Sequence, residues 1–195
     1  MLLPHATWFA NPLSSDSIHG ILHNGRVCVL ADLLAHEAGL DRDHTLAVCA
    51  AAAVHDCRRL NDWSDRGHGR RAAVWFLHNQ NAITAVTGQQ LRPALAAHAA
   101  KAISLHDIPY GDFTPAQERA YQYAPHLTDV LKAADCLDRY RLPLIRWWPN
   151  PSYLRLTVPS WLFPLAFDLV VRSEQARLDG ATHEEALTHA NHVLA

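Results

Sequence analysis

The spacing of apolar residues along the chain predicts a series of helices. From Ser17 to Gly39 the apolar residues recur at the spacing of one buried helical face. A second helix is predicted over residues 43–56 and contains the run Ala50–Ala53. These small side chains allow a neighbouring backbone to approach closely, so we expect this helix to be central and buried.

The rest of the chain is also predicted to be helical, except for one irregular segment. Further helices are predicted over residues 68–86, 91–105, 115–141 with an interruption near Pro125, 161–178 and 182–194. The segment Pro143–Pro159 contains four prolines and is predicted to be an ordered loop, with a short extended piece at 153–158. We therefore expect one all-α domain, a helical bundle spanning residues 1–195.

Composition limits the class of protein. The 195 residues are about half apolar, which suffices for one well-filled core. The net charge of −2 argues against a nucleic-acid polymer or an anionic membrane surface as partner. No apolar run approaches the roughly 20 residues of a membrane span, and the N-terminus has no secretory signal pattern. The four cysteines form no C-x-x-C pair and are expected to be buried thiols. We expect a cytoplasmic protein, with a homo-oligomer as an open possibility.

Histidine and aspartate occur where helices could bring them together. His19 and His23 are four residues apart, which places them on one helical face. His55 and Asp56 end the second predicted helix. Adjacent helical residues point about 100° apart, so both side chains reach one metal ion only if the helix end is suitably placed.

A fifth candidate, Asp135, lies in a largely apolar helix, where a buried charge needs a partner or a metal ion. Two histidines and two carboxylates around one ion leave positions open for water and substrate, as a Lewis-acid site requires. Mixed nitrogen and oxygen ligands suit Mn, Fe, Co, Ni or Zn.

The order of these residues resembles the HD-domain superfamily of metal-dependent phosphohydrolases, and within it one bacterial branch. The matching segments are S-x-H-G-x-x-H-x-x-R-V at 17–27, H-D-x-x-R-x-N-D at 55–62, D-x-x-H-G-x-x-A at 65–72, His106, and A-D-x-L-D at 134–138. The resemblance covers roughly residues 15–142, which we take as the core motif region of a single HD domain. Residues 143–195 are expected to pack on it.

The resemblance implies that His23, His55, Asp56 and Asp135 are the ligands of one metal ion. His68 and His106 correspond to the two histidines that hold a second ion in dinuclear members, where Asp56 would bridge both ions. With a single ion, His68 and His106 would instead act on the substrate as catalytic groups. His98 is a weaker rival for the role of His106.

Other polar residues are candidates for substrate contacts. Arg59 and Arg71 belong to a group of arginines expected around the site entrance, where guanidinium groups suit phosphate; Arg59 is assigned a catalytic role and Arg71 a binding role. His19 is expected to support His23 or contact substrate. Arg26 is expected to pair with a carboxylate or to hold a substrate anion. Trp147 and Trp148 are expected to close the core or an oligomer interface, with covering the site or stacking on a base as the alternative.

Three functions remain open at this point. The leading hypothesis is hydrolysis of a small phosphomonoester or phosphodiester, such as a nucleotide, by water activated on one or two metal ions. The second is a dinuclear-iron HD-type oxygenase that cleaves a C–C or C–P bond. The third is a module that senses a nucleotide without turning it over.

Overall fold

The computed structural model describes residues 2–194, and the side chains of residues 2–192. Within these residues it contains nine α-helices, linked by loops and short 3₁₀ turns, and no β-strand. The helices are α1 Ile21–Glu37, α2 Arg42–Val54, α3 His68–His78, α4 Gln80–Thr87, α5 Pro93–Leu105, α6 Pro115–Tyr123, α7 Pro125–Leu137, α8 Leu162–Leu178 and α9 His183–Leu194. The prediction of an all-α fold is confirmed. None of these helices combines the length and apolar character needed to cross a bilayer.

Helices α1, α2, α5 and α7 form the centre of the bundle. Helix α2 contacts the other three, and Ala50–Ala53 are at most 2% exposed. The predicted central, buried position of this helix is confirmed. Helix α3 packs on α5, while α8 and α9 pack on α1. One apolar cluster runs from Trp8 to Ala190, so the C-terminal helices share the core of the motif-bearing helices.

Two helix boundaries near the candidate site differ from the predictions. Helix α1 begins at Ile21, after the N-cap Gly20, so His19 lies in the preceding turn, where its backbone N–H donates to Ser17 Oγ. The prediction that His19 and His23 share a helical face is therefore wrong. Helix α2 ends at Val54, and His55 and Asp56 follow in a turn. The two side chains are therefore freed from the regular helical spacing.

The helix predicted over residues 68–86 is divided at Asn79 into α3 and α4. The Asn79 side chain donates to the Trp75 carbonyl at 2.7 Å, and the Gln80 side chain donates to the Phe76 carbonyl at 2.7 Å. Continuing helix would use these carbonyls for backbone bonds. The side-chain amides thus compete with the helix and end it.

The proline-rich segment 143–159 is an ordered loop, as predicted. It contains two short 3₁₀ turns, Ile145–Trp147 and Pro151–Tyr153. Leu154 has an extended backbone, but no strand pairs with it among residues 2–194. Trp148 packs against Tyr140 and Phe167, and its indole N–H donates to the Leu142 carbonyl.

Candidate metal centre

Four buried histidine rings meet as two pairs inside the bundle. The Nε2 atoms of His23 on α1 and His55 after α2 are 3.1 Å apart. The Nε2 atoms of His68 on α3 and His106 after α5 are also 3.1 Å apart. None of the four residues is more than 6% exposed. Helix ends therefore bring together side chains that are far apart in the sequence.

Hydrogen bonds determine which ring nitrogen carries the proton. The Nδ1 atoms of His55, His68 and His106 each lie 2.6 or 2.7 Å from the carbonyl oxygen three residues earlier. A carbonyl oxygen only accepts, so each Nδ1 is the donor. His23 Nδ1 lies 2.7 Å from Asp138 Oδ2 and donates in the same way. Each neutral ring therefore presents the lone pair of Nε2 to its partner ring.

Two lone pairs at 3.1 Å repel unless a cation lies between them. Burial lowers the pKa of His23 and of His106. Burial, the largest single influence, also acts against protonation of His55 and His68. For His55 the carboxylates of Asp56 and Asp135 with the Ala52 carbonyl together outweigh burial and raise the pKa. For His68 the carboxylates of Asp56 and Asp107 with the Asp65 carbonyl do the same. Each pair thus combines one ring whose pKa is lowered with one ring whose pKa is raised. It can hold one cation, either a proton or a divalent metal ion whose binding releases that proton.

Asp56 lies between the two histidine pairs. Its Oδ2 is 3.5 Å from His23 Nε2, and its Oδ1 is 2.9 Å from His68 Nε2 and 3.4 Å from His106 Nε2. Although burial raises the pKa of Asp56, the surrounding histidines bring it well below its usual value. Oδ1 is buried and accepts no hydrogen bond from the described residues. A buried carboxylate oxygen without a donor is expected where a metal ion binds.

Asp135 on α7 completes the set. Its Oδ1 lies 3.5 Å from His23 Nε2 and 3.8 Å from His55 Nε2. The first donor group is defined here as His23, His55, Asp56 and Asp135, and the second donor group as Asp56, His68 and His106. The four predicted ligands of the first ion therefore meet, and so do the three residues predicted for a second ion.

The spacing of the donor atoms fits metal coordination. Metal–nitrogen and metal–oxygen bonds are about 2.0–2.2 Å, which separates two ligands of one ion by roughly 3–3.5 Å. The donor–donor distances quoted above for the two groups run from 2.9 to 3.8 Å. Buried groups of His and Asp in this chain can thus hold a metal ion. The donor set, imidazole plus carboxylate, is typical of first-row transition metals.

Asp138 supports the first donor group from behind. It is fully buried, accepts from His23 Nδ1, and receives two hydrogen bonds from the Arg26 guanidinium at 2.6 and 3.2 Å. Burial raises its pKa, but Arg26 and His23 outweigh burial and lower the pKa to about 2. Arg26 also donates to Glu174 and Ser173 on α8. Orienting a ligating histidine through a carboxylate is a common way of stabilising metal sites.

The position of Arg26 corrects one prediction. Arg26 is 1% exposed and does not line the cavity above the donor groups. Its guanidinium is committed to Asp138, Ser173 and Glu174. The expectation of a carboxylate partner is confirmed, whereas a substrate anion cannot reach this side chain.

Lys132 fixes the helix end that carries His106. Its Nζ donates to the carbonyls of Leu105, His106 and Ile108 at 3.2, 2.9 and 2.6 Å. The residue is 9% exposed, and burial lowers its pKa to about 8. Its three N–H groups are all used by the backbone. Lys132 therefore anchors the second donor group rather than offering a free charge.

Gly69 allows α3 to approach α5 closely enough for His68 to meet His106. A Cβ at position 69 would lie 2.6 Å from the Ile103 carbonyl oxygen and 2.9 Å from His106 Nδ1. We expect Gly69→Ala to cost about 1–3 kcal/mol in unfolding free energy, as overpacking usually does, and to separate the two rings. Denaturant unfolding checks the stability, and metal content checks the second donor group.

Gly111 provides the control, because a Cβ there meets nothing within 4 Å. Gly111→Ala should change the unfolding free energy by no more than about 0.5 kcal/mol. Equal effects of the two substitutions would contradict a packing role for Gly69.

A cavity of about 720 Å³ opens above the donor groups. Asp56, His68, His106 and Asp135 form part of its lining, and residues of the loop 143–159 form part of its outer wall. This volume is in the range of small-molecule sites. Trp148 is among these loop residues, which fits the alternative that it covers the site, and the loop thus shapes the approach to the candidate metal centre.

Two predicted contact residues do line this cavity. His19 Nδ1 is 2.7 Å from Asp56 Oδ2, and Arg141 Nη2 is 3.3 Å from the same ring nitrogen. Arg59 Nη1 is 3.3 Å from His68 Nε2 and 3.7 Å from Asp56 Oδ1. His19 and Arg59 therefore lie at opposite oxygens of Asp56.

Arg71 does not line the cavity. Its Nη2 pairs with Asp65 at 2.5 Å and its Nε donates to the Arg58 carbonyl at 3.1 Å. Arg71 thus holds the loop before α3 in place. The prediction that it contacts substrate is corrected.

Sequence reasoning missed several cavity residues. Arg139, Arg146 and Cys136 line the cavity, and Cys136 is only partly buried, unlike the other three cysteines. Sequence reasoning also gave Asp138 no functional role beyond its place in the motif. Asp138 lies 3.5 Å from Arg141, but its main partners are His23 and Arg26. The signal available for Asp138 was its position in the A-D-x-L-D motif. No sequence signal pointed to Arg139 or Arg146.

Comparisons of the chain with protein-family models, with curated proteins and with solved structures each give no match.

Proposed function

We propose that this protein is a metal-dependent hydrolase of a phosphomonoester or phosphodiester. The observation that carries the proposal is Asp56, whose two oxygens face two separate histidine pairs at the floor of an arginine-lined cavity. The HD-type order of His23, His55, Asp56 and Asp135 supports it, because these residues also meet in space. Mn, Fe, Co, Ni or Zn suits the donors, with one or two ions per chain.

A bound divalent ion supplies a Lewis acid for a phosphoryl oxygen and lowers the pKa of a coordinated water. The residues of the chain position the ester. Arg59 lies on the His68 side of Asp56, and Arg141 on the His19 side. Guanidinium groups at both ends of the centre suit the equatorial oxygens of a phosphoryl group in the transition state. His19 holds Asp56 Oδ2 and fixes the orientation of the carboxylate.

The proposal is tested with phosphate-ester turnover. Protein stripped with a chelator is reloaded with Mn, Fe, Co, Ni or Zn and assayed on p-nitrophenyl phosphate, bis(p-nitrophenyl) phosphate and a nucleotide panel. We expect turnover with at least one metal, and its loss in His55→Ala, because that ring belongs to the first donor group. Absence of turnover with every metal on every ester would overturn the proposal.

His98→Ala is the matched control for these assays. His98 lies on α5, as His106 lies at its end, but it belongs to neither donor group and does not line the cavity. Turnover in this variant should equal that of the wild type. A parallel loss in both histidine variants would show that the assay reports general damage.

A dinuclear-iron oxygenase is the second candidate function. It is favoured by the second donor group, in which His68, His106 and Asp56 lie as close together as the ligands of the first group. Two tightly held iron ions per chain, with oxygen consumption on a C–C or C–P substrate, would support this reading. A colourless protein with one Mn or Zn would exclude it.

A further inference from the structure

The cavity contains two sets of basic side chains at different depths. The lining includes five basic and three acidic residues. Arg59 and Arg141 lie at the floor, near Asp56 and Asp138. Lys132 is fully used by three backbone carbonyls. The remaining two bases are the half-buried Arg139 and the exposed Arg146, which lies in the loop that forms the outer wall.

Arg139 and Arg146 converge on Trp147. Arg139 Nε donates to the Trp147 carbonyl at 2.6 Å, and the Arg146 guanidinium lies 5.5 Å from the centre of the Trp147 ring. Among the residues whose side chains are described, neither arginine has a carboxylate within 4 Å. Two cations without acidic partners on one wall raise the local positive potential. This potential favours an anion at the outer wall.

We propose that the substrate carries two anionic groups. The first is the phosphate ester at the donor groups, between Arg59 and Arg141, so this inference rests on the proposed function. The second, a phosphate or a carboxylate, is held by Arg139 and Arg146. The cavity volume of about 720 Å³ accommodates a small molecule with both groups. The four arginines thus select bis-anionic esters over simple monoesters.

The test compares two probes that differ only in the second anion. Propyl phosphate and propane-1,3-diyl bisphosphate are titrated calorimetrically into the metal-loaded, full-length protein. We expect the bisphosphate to bind at least about tenfold more tightly. Equal affinities would overturn the inference.

Substitutions at the outer wall test whether Arg139 and Arg146 cause the preference for the bisphosphate. Arg146 is exposed and makes no hydrogen bond in the described residues, so Arg146→Gln should fold normally. We expect Arg146→Gln, alone and with Arg139→Gln, to lose the preference for the bisphosphate while keeping metal content and affinity for propyl phosphate. Arg146→Lys should retain part of it, because the charge remains. Arg119→Gln, an exposed arginine on α6 outside the cavity, is the control and should keep the preference. A preference that survives the double substitution would overturn the inference.

The two proposals fail in distinguishable ways. Bisphosphate preference without turnover of any phosphate ester would retain the bis-anion site and reject the hydrolase. Turnover of esters without bisphosphate preference would retain the hydrolase and reject the bis-anion site.

Discussion

Asp56→Asn is expected to weaken metal binding at both donor groups, whether the protein holds one ion or two. The two oxygens of Asp56 face different histidine pairs, so one substitution affects both donor groups. Asparagine keeps the size of the side chain but removes its charge and one acceptor oxygen. The loss of affinity should exceed the roughly 10–100-fold typical of residues that only support ligands. Plasma mass spectrometry of protein purified without a metal-affinity tag or chelator measures the ions per chain.

The matched variant is His68→Ala, which changes only the second donor group. It should retain the ion held by His23, His55 and Asp135. His98→Ala, on α5 but outside both groups, should retain the wild-type content. If Asp56→Asn kept the metal content of the wild type, the assignment of both donor groups would be wrong. Circular dichroism in chelator separates metal loss from unfolding.

The residues of the two donor groups could be named from the sequence because their order follows a specific motif series. A charged Asp135 in an apolar helix and a His-Asp pair at a helix end demand compensation for burial. The geometry itself required the structure. Helix α2 ends at Val54, and this ending lets His55 and Asp56 point to the first donor group together.

The contacts around the ligands could not be predicted in the same way. From the sequence, Arg26, three residues after His23, could pair with a carboxylate or hold a substrate anion. Its partner Glu174 is 148 positions away, on α8, and only tertiary packing brings them together. Arg71, by contrast, pairs with Asp65 in the loop that precedes its own helix. The partner of a long charged side chain near a site is hard to predict from sequence. Such a side chain can reach several neighbouring elements, and sequence patterns do not show which of them is close.

The position of the loop 143–159 could not be predicted from the sequence either. Proline positions predict irregular backbone, but not the direction in which the loop folds. Its place beside the cavity follows from the packing of Trp148 on Tyr140 and Phe167, which belong to the 3₁₀ turn after α7 and to α8. That aromatic cluster anchors the loop from which Arg146 lines the cavity.

Arg26→Met is expected to give the largest loss of stability of the substitutions considered. Arg26 and Asp138 are buried, with 1% and 0% of their side-chain surface exposed, and form a hydrogen-bonded ion pair. Removing one partner of a buried pair leaves an uncompensated charge, which typically costs 3–5 kcal/mol. Arg141 and His23 remain near Asp138, so we expect a loss of about 3 kcal/mol, at the lower end of this range. Urea unfolding in chelator measures this loss independently of metal binding.

A double-mutant cycle separates the pair from its surroundings. Asp138→Asn retains an acceptor for His23 Nδ1, and the double variant removes both charges together. We expect a coupling energy of about 2 kcal/mol, because a single substitution strands a charge that the double substitution does not. The exposed pair Arg92–Asp43, at 2.9 Å, is the control, and Arg92→Met should cost less than about 1 kcal/mol.

Metal affinity measures whether the Arg26–Asp138 pair supports the first donor group. Asp138 orients the ring of His23, so Asp138→Asn should weaken binding at the first donor group by roughly 10–100-fold, as expected for a residue that supports a ligand. The second donor group, which Asp138 does not contact, should keep its affinity. If Asp138→Asn lowered the unfolding free energy but left metal affinity at the first donor group unchanged, the Arg26–Asp138 pair would have a structural role only. Loss at the first group only would establish that α8, through Glu174 and Arg26, holds a metal ligand on α1 in place.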